Sequence, residues 1–430
     1  MEKTMQSIWK HGLWGSPTLT TVDGRRITVL DRGQLNMGSG PDFFNAKIRS
    51  DEGTWAGNIE IHVNASDWYR HGHNNDEAYE NVILHVVMHD DARITLADGR
   101  EIPQVILNCS TSFAEKYRAF IESPLSAPPC APNLKGLHPI IITDWMSSLS
   151  IARIQRKAQA VLDIVERNNG DWTEAIYITL ARGLGFGANA QPMEMLATSI
   201  PLKLLLKHVD NGITTPALLL GRAGFLSDRP NDPMRRDQYF EALRSEYEYR
   251  CKTFNLKSTT TPQWKSSIRP ANHPLRRIIL LAQLMADGFD ISWKIFTVTD
   301  LQQARDLFAC QFPEYWRTHY DFGHETLRIS EPLGKSSLDL LVINVVVPVL
   351  CAFAQYTGND LMRDTAVDIL HQISPERNSI ISFFQSIGLN TRDAFDSQAI
   401  IELRKEYCEK RKCIFCRIGH RILSKVAIQS

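Results

Sequence analysis

Two carboxylates and an imidazole open the chemical reading of this chain. Gly40-Pro41-Asp42-Phe43-Phe44 supplies the first carboxylate, and Ile59-Glu60-Ile61-His62-Val63 supplies the second together with the imidazole. Side chains alternate along a strand, so Glu60 and His62 share one face while Ile59, Ile61 and Val63 take the other. With Asp42 on a neighbouring strand, Asp42 and Glu60 make a hard-oxygen site for Mg²⁺ or Mn²⁺, and the carbonyl of Ile61 adds a further oxygen. Such an ion polarises a phosphate and acidifies a bound water, with His62 as general base or donor.

A second group lies just beyond. Five of the thirteen histidines fall between His62 and His89, including His71-Gly72-His73, with Asp67 and Asp76 nearby. Imidazole with carboxylate suits Zn²⁺, Mn²⁺ or Fe²⁺, so a metallohydrolase on His62, His71, His73 and Asp76 is a competing reading. The plainer one puts His71 and His73 on a polar loop lining a substrate groove, with His85 paired in the sheet.

The third group is near the end: Cys408, Cys413 and Cys416, followed by His420. A Cys-x-x-Cys spacing lets two thiolates reach one ion, and His420 completes a four-ligand zinc site. Alternatively a distant cysteine, such as Cys310 or Cys351, completes a zinc or iron–sulfur site. Small buried thiols are the ordinary alternative. Around them Arg404, Lys405, Lys410, Arg411, Lys412, Arg417 and Arg421 form the densest basic patch, a solvated helix face or a phosphate-backbone contact.

The elements that must position these groups change character along the chain. Leu19–Val22 and Arg26–Leu30 flank Asp23-Gly24, a type I′ hairpin signal. Strands are expected over 42–48, 55–63, 82–89, 94–96 and 102–107, with Asp98-Gly99 turning between the last two. Residues 64–80 are expected to be helical in their second half. Residues 1–125 thus form a sheet-rich domain and 126–139 a linker, within the proline-rich stretch 124–132. Residues 140–430 read as helical, opening on a long amphipathic helix through Ile151–Lys157. There, Arg269-Pro270-Ala271-Asn272 enters a helix with Arg276 and Arg277 in its first turn, placed for a salt bridge or a phosphate.

With 430 residues, 43% of them hydrophobic, the chain is large enough for two or three cores. Its formal net charge of zero gives no bulk attraction to nucleic acid or anionic membrane, so such binding needs local patches. The N-terminus lacks a signal-peptide core, and the apolar run 340–354 falls short of the roughly 20 residues of a membrane helix. The expectation is a cytoplasmic protein, with cysteines serving metal more than disulfides.

Pro41-Asp42 and Glu60-Ile61-His62, set in the order hairpin, strand, helix, strand, resemble the PD-(D/E)XK nuclease superfamily. The resemblance implies an α+β fold, a mixed sheet with helices followed by the large helical domain, in which Asp42 and Glu60 bind Mg²⁺ or Mn²⁺. His62 stands where that superfamily usually has lysine. Lys10 or Lys47 would have to replace it, and Lys47 faces away from Asp42 on a regular strand unless a bulge intervenes. Asn75 and Tyr79 resemble the Gln-x-x-x-Tyr element of RecB-like members, which implies a catalytic place for Tyr79. Some RecB-like nucleases also carry an iron–sulfur cluster that staples the chain's end. Nearly end to end, through Gly57-Asn58, Asp67-Trp68, Leu84-His85-Val86-Val87 and Trp316-Arg317-Thr318-His319-Tyr320, the chain resembles a family common in Bacteroidetes and catalogued as a domain of unknown function, number 2851. The implied function is metal-dependent hydrolysis of nucleic-acid phosphodiesters, DNA favoured by analogy. The alternatives are an inactive nuclease fold acting in binding, and the histidine metallohydrolase.

Overall fold

The computed structural model describes residues 2–427 apart from 13, 15–17, 37, 97, 108–114, 116, 118, 121, 210–211, 228–236, 257–260, 267–271 and 328–332. Arg269, Pro270 and Ala271 lie outside the described residues. The chain divides into two compact units. The first comprises Met1–Trp145, Phe383–Leu389 and Ile401–Ser430; the second comprises Met146–Ser382 and Asn390–Ile400. This differs from the expected division, in which everything after residue 140 was helical domain: the final segments, cysteines included, fold with the sheet.

The first unit is built on a seven-stranded mixed sheet. Its order is β1 (Thr18–Thr20), β2 (Arg26–Asp31), β4 (Phe43–Ser50), β5 (Gly53–Asn64), β6 (Val82–His89) and β7 (Gln104–Ile106), with β3 (Gln34–Leu35) pairing to β4. Pairs from β1 to β5 are antiparallel, whereas β5–β6 and β6–β7 are parallel. Asp23-Gly24 makes the first turn, with the Gly24 N–H on the Thr21 carbonyl at 2.9 Å. The near-continuous apolar run of β6 is buried from Val82 to Val87, as a central parallel strand must be.

Two expectations are met in part. Asp98-Gly99 does turn the chain, the Gly99 N–H on the Leu96 carbonyl at 3.0 Å, and a short antiparallel pairing follows: the Leu96 N–H donates to the Arg100 carbonyl (2.9 Å) and the Ile102 N–H to the Ile94 carbonyl (3.0 Å) around the Thr95–Glu101 bridge. It stops there, because Ile94, Leu96 and Ile102 pack with Trp68 and Tyr79 in a small core and β7 runs parallel to β6. Residues 64–80 hold a short helix in their first half (Asp67–Arg70), followed by 3₁₀ turns at His73–Asn75 and Glu77–Tyr79. Gly72 in the left-handed region (φ 78°) and extended Asp76 break the helix between them.

A helix absent from the sequence reading, α1 (Glu2–His11), packs on β5. Met5, Ile8 and Trp9 are its buried stripe, spaced three and four residues apart as a helix face requires.

β4 carries a bulge between Phe43 and Ala46, with Asn45 at φ 57°. Asn58 Oδ1 accepts the Asn45 N–H at 3.4 Å, and Gly57 lies where an added Cβ would sit 2.5 Å from both the Asn81 carbonyl and the Ile83 side chain. The Gly57-Asn58 pair thus has a packing reason. Gly57→Ala is expected to destabilise the protein by about 1–3 kcal/mol through this overlap, read from urea denaturation.

In the second unit, helices at Trp172–Leu184, Leu202–Leu206, Gln238–Thr253, Pro274–Leu284 and Val347–Thr357 fall within the stretch read as helical. The continuous helix Lys335–Thr357 is long and apolar enough to cross a membrane by length and composition, contrary to the shorter run read from sequence. Leu341, Val342, Val345, Val346, Val349 and Leu350 are nevertheless buried in this unit's own core.

Arg276 and Arg277 are tied to carbonyls, an amide and aromatic rings of their own unit. Arg276 is buried, with Nη1 donating to the carbonyls of Trp316 (2.7 Å) and His319 (2.6 Å), and its guanidinium stacks over Phe312 and Tyr320. Arg277 donates to Asn272 Oδ1 at 2.5 Å and covers Phe186. The Trp316–Tyr320 stretch is therefore held by an arginine through its backbone carbonyls.

Candidate metal centre

Sheet register brings the central groups to one face. Phe43 pairs with Ile59, Glu60 with His85, and His62 with Val87. Paired residues project to the same side, so Glu60, His62 and His85 share a face opposite to Phe43, Ile59 and Ile61. The β4 bulge shifts parity so that Lys47, paired with Ala56, lies on the Glu60 face. Four residues separate Ala56 from Glu60, about 13 Å of strand. Lys47 is exposed there, beyond reach of the carboxylates.

Asp42 and Glu60 are brought together and tied to the backbone. The Asp42 N–H donates to Glu60 Oε2 at 2.9 Å. Asp42 Oδ1 accepts from Gln6 Nε2 at 2.8 Å and Oδ2 from the Ile61 N–H at 3.1 Å. Gln6, from α1, is a site residue that the sequence reading missed; the Met5–Ile8–Trp9 spacing was the signal that could have placed it. Burial, then the Glu60 charge, pushes the Asp42 carboxyl up to about 7. Burial also raises Glu60, against the pull of His73 and the Asp42 N–H.

The histidine loop returns over the same face. Gly72 turns the chain so that both flanking imidazoles come back to His62. Glu60 Oε1 lies 3.4 Å from His62 Nε2 and 3.4 Å from His73 Nε2, and His71 Nδ1 lies 3.2 Å from His62 Nε2. The three histidines offer ligand atoms all within 4.8 Å of one another. Nitrogen and oxygen ligands about 2.0–2.1 Å from a tetrahedral ion stand about 3.3–3.4 Å apart, the size of the His71–His62, Glu60–His62 and Glu60–His73 contacts. His62, His71 and His73 form the group that could share an ion, with Glu60 against two of its rings.

Asp76, the carboxylate first grouped with these histidines, instead accepts the Ala78 N–H at 2.9 Å and starts the next turn. Glu60 is the carboxylate that lies against these histidines, 3.4 Å from His62 and from His73. Asn75 is exposed at the end of a 3₁₀ turn, whereas Tyr79 is buried with its ring stacked on His73, centroids 3.8 Å apart. Burial raises the Tyr79 phenol further above its ordinary range, so it stays protonated.

Second-layer groups fix the rings. His62 Nδ1 and His85 Nε2 are 2.9 Å apart, and Trp68 packs edge-on to both rings. A proton shared there leaves His62 Nε2 free to face the cluster. Burial, helped by His73 and His71, pushes His62 down to about 3, and burial brings His85 to about 3, so both are neutral ligands or acceptors at pH 7. Among the described residues the buried Nδ1 of His85 has no hydrogen-bond partner.

The C-terminal residues are placed separately in the same unit. Cys408, Cys413 and Cys416 line one apolar cavity, and the further cysteine there is Cys130, from the expected linker. His420 is exposed. Cys310 and Cys351 belong to the second unit, where Cys351 is buried in the helix Val347–Thr357. Several basic residues of the patch are paired: Lys410 with Glu406, Arg417 with Asp144, and Arg404 with Glu409 and the Leu125 carbonyl.

A family described as protein of unknown function, DUF2851, matches residues 2–379. The chain belongs to this family. No curated protein and no solved structure matches it. The family match covers Asp42, Glu60, the histidine loop and the Arg276 cage alike, while Cys408, Cys413 and Cys416 fall beyond it.

Proposed function

We propose that this DUF2851 protein is a metal-dependent hydrolase of phosphodiesters, with nucleic acid as its substrate class, its ion on His62, His71 and His73, and Glu60 moving in from beside them as the carboxylate. The observation that carries the reading is the close set of His62, His71 and His73, whose ligand atoms all lie within 4.8 Å of one another, with Glu60 Oε1 3.4 Å from His62 and from His73. Three imidazoles and one carboxylate favour Zn²⁺ or Mn²⁺ over Mg²⁺, whose chemistry prefers an oxygen set. When bound, the ion supplies Lewis-acid polarisation of the phosphate and acidifies a water.

The chain's own residues do the rest. Asp42, with an affinity for protons near neutrality and a position beside Glu60, is the general base. Tyr79, a neutral phenol behind His73, is a donor for a substrate oxygen. His85 and the Asp42 N–H orient His62 and Glu60. Support for a nuclease-like ancestry comes from the sheet: hairpin, strand, helix and strand follow in the order that the PD-(D/E)XK resemblance implies, with Asp42 and Glu60 adjacent. His62 sits at the usual lysine position and becomes a ligand, which accounts for a site richer in nitrogen than that superfamily's.

The test is metal binding by calorimetry with Zn²⁺, Mn²⁺ and Mg²⁺, alongside cleavage of single- and double-stranded DNA and RNA. Glu60→Gln and the His71→Ala/His73→Ala double variant are expected to weaken Zn²⁺ or Mn²⁺ binding at least about 100-fold and to abolish cleavage. Asp42→Asn is expected to keep the ion and lose cleavage. Unchanged binding in both ligand variants would overturn the metal assignment. Metal binding without cleavage of any nucleic acid would overturn the substrate assignment and favour the inactive, binding fold.

A further inference from the structure

The cysteines take no part in that chemistry, yet their arrangement is not that of scattered core thiols. Cys408 ends the helical segment Leu403–Cys408, and a turn closed by the Lys412 N–H on the Tyr407 carbonyl, with Arg411 at φ 53°, brings the chain back to Cys413. Cys413 to Gly419 then folds tightly enough that a Cβ at Gly419 would lie 2.2 Å from the Cys413 carbonyl oxygen. In this loop the backbone N–H groups of Gly419 and Ile418 are directed at the Cys416 sulfur. The buried indole N–H of Trp145 finds no oxygen or nitrogen acceptor, and the same sulfur is its neighbour. Donors directed at one buried sulfur, with three further cysteines lining the same cavity, make a ligand set of the kind that soft metal centres use.

Cys130 comes from the other wall, at the start of the 3₁₀ segment Ala131–Gly136. We infer that Cys130, Cys408, Cys413 and Cys416 form a four-thiolate metal centre that fastens the last segment of the chain to the stretch after the sheet. Among the described residues no three of these sulfurs lie within 4.8 Å of one another. A single zinc with 2.3 Å bonds holds its sulfurs about 3.8 Å apart, so this spacing leaves room for a larger centre of the iron–sulfur type. All seven described cysteines are free thiols, so no disulfide competes for these four.

The experiment uses the full chain, purified both anaerobically and in air. Iron, sulfide and zinc are measured together with the visible absorption spectrum. The expected result is a brown protein with about four irons per chain; about one zinc per chain and no visible band would keep the four-thiolate site with the smaller occupant. Cys130→Ala and Cys413→Ala should each lose this metal, while Cys351→Ala and the His71→Ala/His73→Ala variant retain it, which separates this centre from the histidine site. Should Cys130→Ala fold poorly, thiol titration of the native wild type decides: four thiols are protected until a chelator or acid removes the metal. Metal-free protein with all thiols reactive, or full retention of the metal in folded Cys130→Ala, overturns the assignment.

Discussion

Asp42→Asn is expected to gain about 3 kcal/mol in stability relative to the wild type between pH 5 and pH 8 when both are stripped of metal. Burial and Glu60 raise the Asp42 carboxyl to about 7 in the folded protein. The unfolded chain releases that proton near pH 4, so from about pH 4 to 7 the folded state binds the extra proton. Stability therefore falls as pH rises through this window, reaching its full loss above 7. Asparagine carries no charge and removes the dependence. It has one acceptor where the carboxylate has two, so the Gln6 or Ile61 contact weakens, lowering the variant by a roughly constant 1–3 kcal/mol. The pH-dependent difference is the readout, measured by urea denaturation in chelator.

The wild-type curve alone would hide this effect. His62 and His85, neutral down to about 3 when folded, contribute stability that is lost as pH falls below about 6.5. The two trends oppose each other across pH 4–6.5, so the difference between variant and wild type carries the signal. Adding Mn²⁺ or Zn²⁺ should shrink the gain, because a cation beside Asp42 favours its charged form. A difference that does not change with pH would mean that Asp42 is ionised in the folded protein at pH 5.

Arg276→Ala is expected to destabilise the second unit by about 3–5 kcal/mol. The change strips two carbonyls, of Trp316 and His319, of their shared donor and empties the space between Phe312 and Tyr320. Unpaired buried carbonyls and a cavity act together here. Arg276→Lys should recover only part of the loss, since a single ammonium cannot match the planar group stacked between the rings. Thermal unfolding in chelator, compared with Arg317→Ala as a control on an exposed neighbour, checks the prediction. A loss under about 1 kcal/mol would show that the carbonyls find water instead.

What the sequence made legible, and what it hid, follows from the range of the contacts. The hairpin around Asp23-Gly24, the buried run of β6 and the pairing of Glu60 with His62 on one face depend on residues a few positions apart. The adjacency of Asp42 and Glu60 needed only the assumption of neighbouring strands. Gln6 reaching Asp42, and Cys130 facing Cys413, join residues tens to hundreds of positions apart, which no local period encodes. The histidine segment was legible only in part. Its polar loop was expected, but the helix expected in the second half of residues 64–80 is divided by Gly72 and Asp76 into short turns, which return His71 to His62 and His73 to Glu60. Lys47 shows the same limit at smaller scale: one extra residue at Asn45 changes its face, and nothing in alternation alone reveals a bulge.

The division of the chain also bears on how the protein is made. Residues 401–427 belong with the sheet, yet more than 250 residues of the helical unit and its neighbours are synthesised between Trp145 and that segment. At about 5–20 residues per second, the sheet waits roughly 13–50 s on the ribosome for its last wall. During that interval Cys130 and the apolar side chains beside it have no partner from the C-terminal segment. A nascent chain paused in the helical unit therefore exposes a thiol and an unfilled apolar surface together, and the synthesis of residues 401–427 sets the earliest moment at which this part of the core can close.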